Sequence, residues 1–75
     1  MTLRDMRIGE KATIIMICGG RGAQGKLESM GLREGSSIVK KSAVMAGGPV
    51  IVEVGSTQIA IGSELARKII VKITA

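Results

Sequence analysis

One stretch constrains the fold more than any other: Lys26-Leu27-Glu28-Ser29-Met30-Gly31-Leu32-Arg33-Glu34-Gly35. Ala23, Leu27 and Met30 stand at i, i+4 and i+7, so they share one face of a helix. Gly31 follows the last periodic residue, where a helix commonly ends on a left-handed residue that glycine adopts without strain. Leu32 can then fold back over the helix end. Gly35 marks a tight turn ahead of a strand over 36–45. The rest of the chain reads mostly as β-strand, so one short helix is lodged in a small β structure.

The β reading follows from alternation and turn chemistry. Ala12–Cys18 is rich in β-branched residues, and both of its faces are mostly apolar, as in a strand covered on both sides. Cys18, at its end, is expected to be a packed, inert thiol. Ser36–Met45 is the second strand; Lys40 and Lys41 fall on opposite faces and suggest an edge, a bend or an open side of a barrel. Ala46-Gly47-Gly48-Pro49 is a turn. Val50, Val52 and Val54 then alternate with Ile51 and Glu53. Gly55-Ser56 fits a two-residue hairpin loop, with Thr57–Ile61 as the return strand. Ser63 stands where it would cap one helical turn, and Ile69–Ile73 is a last strand. The helix is expected to be reliable over Gln24–Met30, because Gly25 weakens the turn before it. Thr2-Leu3-Arg4-Asp5 has the spacing of a helix-starting box, with Asp as the acceptor. The fold expected is mainly β: a closed or nearly closed barrel of about five strands, with one short helix inserted after the first.

Composition narrows the function. The chain has 75 residues, no histidine and no Phe, Tyr or Trp. One small domain over residues 1–75 is expected, with a core built from Ile, Val, Leu, Ala and Met. Without histidine the commonest general base and metal ligand are missing. The carboxylates Asp5, Glu10, Glu28, Glu34, Glu53 and Glu64 are dispersed, and none has the spacing of a calcium loop or a paired-acid site. The chain is therefore not expected to be an enzyme, and it implies no cofactor. Metal ligands cannot be assigned; carboxylates gathered by the fold, or at a dimer interface, stay open as a site.

Gly19-Gly20-Arg21-Gly22-Ala23-Gln24-Gly25-Lys26 follows a strand and precedes a helix, like a phosphate-binding loop. It lacks the Gly-Lys-Ser/Thr ending, so a basic connection is the expected reading. The formal net charge is +5, which favours acidic partners. Nucleic acid is disfavoured, since single-strand binding by stacking needs aromatic rings. The longest apolar run, Ile14–Cys18, falls far short of the about 20 residues needed to span a bilayer. The start of the chain has no apolar signal core, and with a single cysteine this points to the cytoplasm.

Leu27, Met30, Gly31, Leu32 and Gly35 match a Leu-x-x-apolar-Gly-apolar-x-x-Gly core. Leu3, Gly9-Glu10 and Ile14 fit before it. Pro49-Val50, Ile59-Ala60-Ile61, Glu64, Ala66, Ile69 and Val71 fit after it. The pattern resembles ferrous iron transport protein A, the FeoA family, over nearly the whole chain; Gly48 and Gly62 depart from its common residues. The resemblance implies an SH3-like barrel in the bacterial cytoplasm. It also implies an accessory role in ferrous iron uptake through contact with a membrane transporter's cytoplasmic GTP-binding domain, with the membrane reached only through that partner.

On this reading Leu27, Met30 and Leu32 around Gly31 supply an apolar contact, and Arg21, Lys26 and Arg33 steer toward an acidic surface. The alternative keeps Leu27 and Met30 in the core. A stand-alone relative of the SH3-like tail of iron-dependent repressors and a basic nucleic-acid-binding barrel are the competing functions. A homodimer through the helix patch also stays open.

Overall fold

A computed structural model describes residues 1–43 and 47–75. After a 3-10 turn at Leu3–Asp5 come β1 (Lys11–Ile17), α1 (Gly20–Ser29), β2 (Ser37–Ala43), β3 (Val50–Val54), β4 (Thr57–Ile61), α2 (Ser63–Ala66) and β5 (Ile69–Ile73). The end of the expected second strand, Val44 and Met45, and the first residue of the expected turn, Ala46, lie outside the described residues. The five strands form one antiparallel sheet in the order β4-β3-β2-β1-β5. Its terminal strands are not paired with each other, so the sheet is open where a nearly closed barrel was expected. Among the described residues no helix is long and apolar enough to cross a membrane.

The core is aliphatic, as a chain without rings requires. Leu3, Ile14, Leu27, Leu32, Ile38, Ile61, Ile69 and Val52 are its largest fully buried side chains. Each contributes roughly 1.5–3 kcal/mol on burial. The hairpin forms as expected, with Gly55 at φ +61° opening the loop and β3 pairing with β4 in unbroken register from Val54↔Thr57 to Val50↔Ile61. Helix α1 begins four residues earlier than expected, at Gly20. Burial of Ala23 and Leu27 against the sheet outweighs the weak helical preference of its glycines.

Two strands depart from the simple alternation. In β1 the register against β5 shifts between Ile14 and Met16, a β-bulge with Ile15 as the extra residue. The inward phase therefore runs Ala12, Ile14, Ile17, while Ile15 and Met16 face solvent at 51% and 53% exposure. The strand is not covered on both sides, and Cys18 just beyond it is a free, exposed thiol, not a packed one. Strand β2 is interior to the sheet, so its lysines do not mark an edge. They flank a bend: the β2–β3 register shifts between Lys40 and Ser42. Lys41 is exposed, but Lys40 is only 4% exposed.

The buried Lys40 holds the N-terminal segment. Its Nζ donates to the carbonyl oxygens of Met6, Arg4 and Leu3 at 2.6, 3.1 and 3.4 Å. Burial pushes its ammonium below the ordinary lysine value, while Asp5 and Glu10 pull it back up. The expected box at Thr2–Asp5 forms next to it. The Asp5 carboxylate accepts from the Thr2 backbone N–H at 2.9 Å and the Thr2 hydroxyl at 3.1 Å. Those hydrogen bonds, the backbone one foremost, hold Asp5 below the usual aspartate value.

Candidate docking groove

The helix end is built as the sequence spacing implies. Gly31 sits at φ +90°. Its N–H donates to the Glu28 carbonyl at 2.9 Å, and the Leu32 N–H donates to the Leu27 carbonyl at 2.9 Å. This pair of bonds is the Schellman arrangement, with Gly31 in the left-handed place. The cap fixes where Leu32 lies. The chain reverses so tightly that Leu32 is carried into the core beside Leu27, and both are 0% exposed. Neither offers a surface, so the expectation that Leu27 and Leu32 touch a partner is corrected: they fasten α1 to the sheet. Gly31 itself is exposed and serves as the hinge of the cap.

Met30 behaves differently. It is half-buried, packed against the core cluster on one side and open on the other. Its open side lines a groove of about 450 Å³ between α1 and the β4–α2 corner. Ala23, Lys26 and Met30 form the helix wall; Ala60, Leu65 and Lys68 stand on the opposite side. The walls carry two cations over an apolar floor. Glu64 also borders the groove, but it pairs with Arg67 at 3.6 Å, the only ion pair among the described residues. Among the described residues neither Lys26 nor Lys68 forms an ion pair with a carboxylate.

The other expected contact residues fall elsewhere. Arg33 is exposed beside Ile17, Gln24, Glu28 and Glu34 in a smaller depression of about 250 Å³. Arg21 is exposed on α1 and lines neither. The fold thus gathers Lys26 and Met30 from the expected set, adds Lys68, Leu65 and Ala60, and sends the rest away. No local signal marked those three, because they meet α1 only through tertiary packing.

Among the described residues no three of Cys, Asp and Glu cluster as metal ligands. The two residues with shifted pKa values, Asp5 and Lys40, belong to the N-terminal anchor and not to the groove. What the groove can do is non-covalent: bury an apolar side chain and neutralise an acidic one.

An open five-stranded antiparallel sheet with one helix after the first strand defines a small SH3-like domain. The FeoA domain model matches residues 1–73, and the chain belongs to that family. The crystal structure of an iron uptake regulatory protein (FeoA) superposes with a TM-score of 0.88 at 36% identity, covering 99% of this chain and 96% of that one. The solution structure of FeoA from Chlorobium tepidum gives 0.88 at 21% identity, over 100% and 71%. The manganese regulator SloR shares the fold at a TM-score of 0.87 and 15% identity; the match covers 99% of this chain and 34% of the regulator. No curated protein compared with the chain matches it.

Proposed function

We propose that this chain is a non-enzymatic, cytoplasmic accessory protein of a ferrous iron transport system. It acts by docking on the cytoplasmic GTP-binding domain of the membrane transporter. Membership of the FeoA family over residues 1–73 carries the reading. The groove supports it, because an apolar floor with two unpaired cations suits an acidic protein surface. Contact centres on Met30, with Lys26 beside it and Arg21 and Arg33 steering from farther out. A nucleic-acid role has less support, since the sequence has no ring to stack on a base.

The test is binding to the purified GTP-binding domain. Met30→Asp is expected to weaken binding by about tenfold or more, as for a central contact residue. Lys26→Glu should slow association and flatten the salt dependence. A folded Met30→Asp variant that binds as tightly as the native chain removes the groove from the reading.

A further inference from the structure

The two edges of the sheet are not alike. The outer side of β5 is covered by its own chain, where the Met1 carbonyl accepts from the Val71 N–H at 2.9 Å and Thr2 bridges Ile70. Among the described residues no strand or backbone hydrogen bond covers the outer side of β4. In an antiparallel hairpin with a two-residue loop, the residues flanking the loop exchange both backbone bonds, and bonded pairs then alternate. Thr57, Ile59 and Ile61 thus aim their backbone groups at Val54, Val52 and Val50. Gln58 and Ala60 aim theirs outward, and among the described residues neither has a hydrogen-bond partner on that side.

Edge strands are ordinarily guarded by a lysine, a proline or a bulge. Thr57-Gln58-Ile59-Ala60-Ile61 has none: it carries no charge and no proline, and its register with β3 does not break. Ala60 also borders the groove that Lys26 and Lys68 line without a carboxylate partner.

We propose that β4 is the acceptor edge for strand addition by a partner protein. An extended segment pairs with the outward N–H and C=O groups of Gln58 and Ala60, adds a sixth strand to the sheet, and delivers an acidic side chain into the groove. Backbone pairing supplies the affinity of such contacts, and side-chain pockets supply the choice of partner. A second copy of this chain is the poorer occupant. Pairing two β4 edges would bring together two chains of net charge +5, with unpaired lysines near the shared seam. The inference deepens the docking reading by naming how contact is made, and it depends on that reading only for the partner's identity.

Amide hydrogen exchange on the unaltered chain tests it, with and without the transporter's GTP-binding domain. Exchange at Gln58 and Ala60 is expected to slow by about tenfold or more in the complex. Ala60→Pro removes one outward donor without touching the β3 ladder, and should weaken binding by about tenfold. Should that variant fail to fold, the exchange measurement still decides. Binding that leaves both amides exchanging at their free rates overturns strand addition and leaves the docking reading standing. If the domain does not bind at all, the docking reading falls. The edge is then judged with the capped peptide Val-Thr-Val-Glu-Val-Thr, whose failure to protect the two amides overturns it too. Concentration-dependent protection in the free chain, the mark of β4 self-pairing, also overturns it.

Discussion

The two ends of the sheet solve one problem in opposite ways. At β5 the chain folds its own N-terminal residues against the edge and fixes them with Lys40, whose ammonium satisfies three carbonyl oxygens of that segment. The arrangement requires a cation in the interior, an unfavourable environment that is tolerated because the charge is hydrogen-bonded. At β4 no strand or charged side chain guards the edge among the described residues, and an apolar groove lined by Lys26 and Lys68 lies beside it. A small protein that needed only to stay folded and monomeric would gain by guarding both. The asymmetry separates an end covered by its own chain from one left uncovered among the described residues.

The comparison breaks most sharply at Lys40. Lys40→Met keeps the length of the side chain but removes the donor for three carbonyls. We expect a loss of about 3 kcal/mol in unfolding free energy, the scale for charge-assisted bonds removed from a buried site. The urea midpoint measures it. Exchange at the Val71 amide should quicken more than the global loss explains, because the covering segment is released. A Lys40→Met chain at least as stable as the native one, with Val71 still protected, would mean that the β5 guard does not depend on this residue.

The difference between the ends was only partly legible in the sequence. Local features were readable: the cap at Gly31, the Gly55-Ser56 hairpin and the Thr2–Asp5 box all rest on residues a few positions apart. The β1 bulge was not, since a register shift at Ile15 turns an apparently two-sided strand into one with an open apolar face. From the sequence Lys40 and Lys41 suggest an edge, a bend or an open side of a barrel; the bend is found, but the buried role of Lys40 was hidden because its acceptors lie 34 to 37 residues away. For the same reason the groove was half seen. Lys26 and Met30 belong to the stretch that drew attention, but Ala60, Leu65 and Lys68 reach them only through packing. Leu32 shows the limit most clearly: the sequence placed it just past the cap, and the tightness of the turn decided that it faces inward.

A smaller effect sharpens the β4 side. Gly31→Ala forces a side chain into a left-handed residue, at a cost of about 1–2 kcal/mol. That cap sets the end of α1, which supplies the Lys26 and Met30 wall of the groove. The expected result is a lower urea midpoint together with weaker docking, while the Val71 amide keeps its protection relative to global stability. A Gly31→Ala chain that docks normally would separate the cap from the groove.

The smallest expected effect returns to β5 through Asp5. Its carboxyl is held below the ordinary aspartate value by the Thr2 hydrogen bonds, so the folded state binds that proton less readily than the unfolded chain does. The contribution is complete above the unfolded pKa and is lost as pH falls through the lower folded one. Between about pH 5 and pH 2 the native chain should lose more stability than Asp5→Asn, which cannot titrate there. The other carboxylates contribute to both chains, so the difference between their midpoint curves isolates Asp5. Parallel curves would show that ionisation of Asp5 contributes nothing to holding the segment that covers β5, leaving that to Lys40 and the backbone contacts of Met1 and Thr2.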